Sequence, residues 1–128
     1  MMKIAVISAG VKWTPLKTFL IYSRYIGKNQ IKLFYPIKEG DLNFYNIHPF
    51  HDYNELIELL NGFDPDVLHI DRPNIEKGLF KLLLDYENAI KSEYLNLTYW
   101  DEFSKYADLH ISPSSFLLLE LFKRYKLP

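Results

Sequence analysis

Apolar residues fall in short blocks between polar turns, and two periodicities alternate along the 128 residues. Lys3–Ser8 is a nearly continuous β-branched run, the pattern of a strand covered on both faces in a parallel sheet. Ser8-Ala9-Gly10 then turns. Thr14 is placed to cap a helix with Pro15 at its first position, and Leu16, Phe19, Leu20 and Ile26 keep a helical period up to Gly27. Gln30–Tyr35 reads as a second strand ended by Pro36, Pro36–Asp41 as a polar loop, and Asn43–Ile47 as a short strand. Asp52-x-x-Glu55 forms a capping-box pattern for a helix through Leu60, with Gly62 just past its end.

The second half repeats the alternation. Asp66–Ile70 is another buried strand. Asn74 is placed to cap a helix whose apolar positions Ile75, Leu79, Leu82, Leu83 and Tyr86 lie on one face. Asn88–Glu93 reads as a strand, Thr98 starts a short helix carrying Trp100 and Phe103, Leu109–Ser112 is the last strand, and Ser114–Lys126 the last helix. Strands alternating with helices over short links predict an α/β fold: one Rossmann-like domain with a mostly parallel sheet of about six strands and helices on both faces. Right-handed crossovers then bring the strand carboxyl ends to one edge, where such folds bind ligands. The groups expected there are Ser8–Lys12, Asp71-Arg72, Glu93–Asn96 and Ser112–Ser115.

Composition narrows the classes. A chain that is 48% apolar with a formal net charge of −1 is a globular domain, and it lacks the positive excess that a nucleic-acid binder uses against phosphates. With no cysteine, disulfides, thiolate metal sites and cysteine nucleophiles are excluded, which fits the cytoplasm. Met1-Met2-Lys3-Ile4 enters a strand directly without a signal-peptide pattern, and no apolar run approaches the roughly 20 residues that span a bilayer. The basic cluster Lys123-Arg124-Tyr125-Lys126 is either a patch for anions and peripheral membrane contact or a solvated helix end. Ten tyrosines and nine phenylalanines supply either a bulky core or aromatic surface for sugars and protein partners.

Pro65-Asp66-Val67-Leu68-His69-Ile70-Asp71-Arg72-Pro73-Asn74 resembles the P-D-[VL]-[VL]-H-[VI]-H-x-P segment in the amino-terminal domain of GT-B glycosyltransferases, in their retaining, nucleotide-sugar-dependent group. Ala107-Asp108-Leu109-His110-Ile111-Ser112-Pro113-Ser114-Ser115-Phe116 is similar to that family's A-D-x-[VI]-[IV]-x-x-S-x-[FA] segment, and Lys3–Gly10 to its first strand and glycine-containing loop. The resemblance implies one of two Rossmann-like domains facing each other across a cleft. The amino-terminal one holds the acceptor and the carboxyl-terminal one grips the nucleotide sugar. These residues then form the acceptor half, without the donor half, and alone they have no transferase activity. The chain departs from the family at three points: a single Gly10 stands where paired glycines are common, Glu93 where a histidine often helps hold the transferred sugar, and Asp71 where the second histidine of H-x-H falls.

The candidate chemistry follows from these positions, each with a structural alternative. Gly10 permits either close ligand approach or a plain tight turn. Lys12 meets an anionic acceptor or is solvated. Asp71 and Arg72 either grip sugar hydroxyls or a phosphate, or form an ion pair that caps the next helix. Glu93 is the candidate catalytic residue, as a general base, or else pairs with Lys91 or Arg72. Ser112, Ser114 and Ser115 stand at a helix start, where capping and anion binding are both available. No Gly-x-Ser-x-Gly elbow surrounds them, which argues against a serine hydrolase.

His48-Pro49-Phe50-His51-Asp52 lacks the third histidine of a metal site, so no metal is expected, and His69 and His110 read as packed strand residues. Without a P-loop or G-x-G-x-x-G fingerprint no cofactor of this chain's own is expected, and without an acidic cluster after the first strand a receiver-type domain does not fit. The sequence thus leads to a glycosyltransferase-like acceptor domain for a sugar or lipid-linked acceptor, working with a separate donor-half subunit. The alternative is a non-catalytic protein-binding or homodimeric module that reuses the fold.

Overall fold

A computed structural model describes residues 2–9, 23–37, 47–72, 75–94 and 104–111. Within them lie β1 (Ile4–Ile7), β2 (Ile31–Pro36), β3 (Ile47–Phe50), α1 (Tyr53–Phe63), β4 (Val67–Asp71), α2 (Lys77–Leu84), β5 (Ile90–Tyr94) and β6 (Leu109–Ile111). The strands form one six-stranded sheet in the order β3-β2-β1-β4-β5-β6, and every pairing is parallel. This is the doubly wound Rossmann order, with its switch point between β1 and β4. The expected architecture is thus present, with the sheet wholly parallel among the described residues.

The central position of β1 explains its composition. Ile4 lies opposite Ile31 and Val67, and Ile7 opposite Phe34 and Ile70, so both edges of β1 are hydrogen-bonded and both faces are covered. Alternation splits the sheet residues between two cores. Ala5, Ile7, Phe34, Leu68 and Ile70 pack with Leu56, Leu60 and Phe63 of α1 and with Leu79, Phe80 and Leu83 of α2. Ile4, Val6, Ile31, Leu33, Tyr35 and Ile47 face the other way, joined by Ile26 and Val67. Helices α1 and α2 therefore cover the same face of the sheet.

Several boundaries differ from the sequence reading, each for a local reason. The third strand is Ile47–Phe50 and not the expected Asn43–Ile47; it contains Pro49, and β3 is the edge strand of the described sheet, where a proline without an N–H is tolerated. Helix α1 runs through Gly62 to Phe63, since Phe63 is buried against the core. The left-handed residue that ends it is Asp64 (φ 55°), whose N–H reaches the carbonyl of Leu60 at 2.8 Å. Its start matches the sequence: Asp52 Oδ1 accepts from the N–H of Glu55 at 2.8 Å. The next helix starts at Lys77, later than Ile75, with Glu76 at its cap. Asn88, with φ 69°, belongs to the turn before β5. Residues 23–25 are helical, consistent with the first helix, but its start at Thr14 and the last helix, Ser114–Lys126, lie outside the described residues.

Two substitutions check this packing by urea denaturation. Asp52→Ala should cost about 1 kcal/mol through loss of the cap. Leu60→Ala, deep in the core beneath β1 and β4, should cost about 2–5 kcal/mol.

Candidate functional site

The carboxyl ends of β1, β4 and β5 bring Ser8, Asp71, Arg72, Glu93 and Tyr94 to one edge of the sheet beside the switch point. Of the residues expected there, the structure brings Arg72 and Glu93 together and leaves Asp71 at the same edge but on the other face, because β4 pairs with β5 in a register that sets Ile70 opposite Glu93 and Asp71 opposite Tyr94. Gly10, Lys12, Ser112 and Ser114 lie outside the described residues.

Arg72 and Glu93 are 3% and 0% exposed at their side chains, and Arg72 Nε lies 3.9 Å from a Glu93 carboxylate oxygen. The guanidinium also donates to the Ile75 carbonyl at 3.3 Å and lies 4.1 Å from the Phe80 ring centroid. Its backbone N–H donates to the Tyr94 carbonyl at 3.1 Å. One side chain thus fastens the β4–α2 connection to α2 and β5. On the far side of Glu93, His110 Nδ1 of β6 lies 3.6 Å from its other oxygen, an approach set by the Glu93–His110 register. Glu93 is therefore flanked by Arg72 and His110, and the backbone N–H of Lys91 donates to the Asp108 carboxylate at 2.8 Å.

Asp71 and His69 point to the face of β4 opposite Arg72. Burial alone raises the Asp71 carboxyl to about 6 and lowers the His69 imidazole to about 4. The Tyr94 phenol is also raised, first by burial and then by the charge of Asp71. Burial lowers His110 as well. The site thus joins a carboxyl that keeps its proton up to about pH 6 and an imidazole that is neutral above about pH 4 in one water-poor region.

His69, Ser92 and His110 were not singled out as site residues by sequence, and the available signal is their alternation. Polar residues at every second position of strands otherwise built for burial, His69 and Asp71 in β4, Ser92 and Tyr94 in β5, mark one face of the sheet as polar. Among the described residues no group of three or more His, Asp or Glu side chains is arranged to hold a metal, and no helix is long and apolar enough to cross a membrane.

Strand order, parallel register and a polar edge at the switch point together define a Rossmann-type α/β domain. Solved structures agree at the level of fold. The chain is similar to L-threonine 3-dehydrogenase from Trypanosoma brucei, with a TM-score of 0.64 and 11% identity over 77% of this chain and 37% of that one. It is also similar to L-threonine dehydrogenase from Clostridium difficile, with a TM-score of 0.58 and 14% identity over 74% of this chain. It spans 37% of the length of each of these enzymes. No family model and no curated protein matches the sequence. The likeness is therefore to Rossmann-fold dehydrogenases, and the GT-B resemblance finds no support in these matches.

Two predictions follow from the buried charges. Arg72→Met should cost about 3–5 kcal/mol in urea denaturation, because it leaves the Glu93 carboxylate buried beside an apolar chain, and Arg72→Met combined with Glu93→Leu should recover most of the loss. The second concerns pH. The native chain holds the Asp71 proton up to about 6 and the unfolded chain only to 3.8, so this group lowers stability as pH rises between those values. His69 acts in the opposite sense: the unfolded chain keeps its proton to 6.5 and the native chain only to about 4, so stability rises with pH. Asp71→Asn should leave stability climbing from pH 4 to 6.5, and His69→Gln should leave it falling from pH 4 to 6. Each slope should amount to at most about 3 kcal/mol, and parallel denaturation profiles for wild type and both variants would refute the assignment.

Proposed function

We propose that this chain is a glycosyltransferase-like acceptor-side domain, which seats the molecule to be glycosylated at its switch-point edge while a second domain brings the nucleotide sugar. The observation that carries the reading is the convergence of Ser8, Asp71, Arg72, Glu93 and Tyr94 from three adjacent strands on that edge. It joins the sequence resemblance at Pro65–Asn74 and Ala107–Phe116.

A self-contained dinucleotide site, the other use of this strand order, fits the residues less well. The turn after β1 carries one glycine, Gly10, in place of the Gly-rich fingerprint, and β2 ends in Tyr35-Pro36-Ile37 without a carboxylate for a ribose. A second reading, a protein-binding or homodimeric module, draws on Ile90, Leu109 and Ile111. Strand alternation sets these three exposed side chains on one face of β5 and β6.

The two-domain reading is tested by amide-resolved NMR titration of the chain. UDP-glucose and NAD should leave its amides in place and the chain should turn over no nucleotide sugar, whereas a glycan acceptor such as maltotriose or an isoprenyl phosphate should shift Ser8, Asp71 and Tyr94. Saturable binding of NAD or UDP-glucose at those amides would overturn it.

A further inference from the structure

At the edge of the sheet away from the switch point, the carboxyl ends of α1 and α2 stand beside the starts of β4 and β5, because each helix leads back to the strand that follows it. Between them lies a cleft of about 370 Å³, at the lower end of the range for ligand pockets. Its wall is apolar. Ile57 of α1, Leu82 of α2 and Tyr86 just beyond are half-buried and rest on the core of that face. Its rim is polar, made of Asn61, Asp85, Glu87 and Asn88. These four side chains are exposed and, among the described residues, make no hydrogen bond or ion pair.

The charge of the cleft has one sign. No lysine or arginine lines it, and its two carboxylates stand at the negative ends of two helix dipoles. The last turn of α1 carries no basic residue, and that of α2 carries Lys81, which is outside the lining. Asp64, at the end of α1, adds a further carboxylate near Tyr86, whose phenol is raised first by burial and then by that charge; Lys3 Nζ lies 4.0 Å from Asp64. Carboxylates at a helix carboxyl end oppose its dipole, so local helix stability does not account for Asp85 and Glu87.

We propose that this cleft receives an arginine side chain presented by a protein partner. The site lies away from the switch-point edge and does not depend on the acceptor-side reading. An arginine brings an aliphatic stem for Ile57 and Leu82 and a planar cation for the ring of Tyr86. Its five N–H donors meet four free acceptor groups, the carboxylates of Asp85 and Glu87 and the amide oxygens of Asn61 and Asn88. A lysine ammonium, compact and strongly hydrated, matches that spread of acceptors less well. A small free cation is also a poorer fit. Pockets for small ligands bury most of the ligand, whereas this rim is exposed. A partner's surface around the arginine supplies the missing cover and excludes water from the contact.

The test is an amide-resolved NMR titration of the 128-residue chain with the acetylated, amidated peptide Ala-Leu-Arg-Leu-Ala, with its citrulline and lysine counterparts, and with agmatine as a free guanidinium. The arginine peptide should shift Asn61 and Asp85–Asn88 saturably and leave Ser8, Asp71 and Tyr94 in place. The citrulline peptide, nearly the same in shape but uncharged, should bind roughly tenfold more weakly, and the lysine peptide and agmatine each about threefold more weakly. Asp85→Asn and Glu87→Gln should each weaken the arginine peptide by about threefold, and Tyr86→Leu, which keeps an apolar side chain and removes the ring, by a similar factor. Amide spectra of the free variants check that each one folds. Equal binding of the arginine and citrulline peptides, or wild-type affinity in both carboxylate variants, would overturn the proposal. A lysine peptide as tight as the arginine one would overturn the choice of arginine, and agmatine tighter than the peptide would overturn the protein partner. An absence of saturable shifts at these amides would end the proposal and leave the acceptor reading untouched.

Discussion

Parallel pairing of β1 with β2 on one side and β4 on the other is the constraint from which the rest follows. A strand held on both edges and covered on both faces has almost no contact with water along its length, so Ile4–Ile7 must be apolar, and most of the residues it lies beside are apolar too. The same pairing drags the strand ends into a water-poor region. Polar side chains there are desolvated whether or not a partner is present. That is why burial raises the Asp71 carboxyl and lowers the His69 imidazole.

Arg72 shows how stability and site share residues. A guanidinium buried between a carboxylate, a carbonyl and an aromatic ring holds the β4–α2 connection to two other elements at once. Such a group is costly to bury and more costly to leave half-paired. It thereby shapes the edge that Asp71 and Tyr94 occupy. Of the two roles that the sequence allows for Arg72, the contacts described are those of a structural ion pair, made with Glu93 and with the loop ahead of α2 rather than with the helix cap, which is Glu76. Glu93 has its two flanking groups on different strands, and only the register of three strands creates that cluster.

How much of this was legible in the chain varied by element. Strands β1 and β4 were, because a β-branched run admits few alternatives, and so was the Asp52 cap, a contact between residues three apart. The end of α1 was not. Gly62 is a local stop signal, and Phe63 overrides it because its ring meets Phe34 and lies beneath the Lys3 and Lys32 ammonium groups, all distant in sequence. Strand β3 lies later than its sequence pattern indicates for a related reason: a strand containing Pro49 is tolerated only at an edge, and edge or interior is decided by neighbours. At the site, Asp71, Arg72 and Glu93 were placed at the carboxyl edge by counting from strand ends. Their partition to opposite faces came from the pleat, and the involvement of His69, Ser92 and His110 from the register.

The sequence by itself determined the alternation of strands and helices, the α/β class, the cap of α1 and the edge at which polar groups collect, because periodicity, capping and turn chemistry act over a few residues. Tertiary structure alone decided the strand order, the Arg72–Glu93–His110 grouping and the polar positions of β4 and β5 beside an otherwise apolar face. Those depend on which strands lie side by side and on a register fixed by burying two cores at once, and no window of the chain contains both partners.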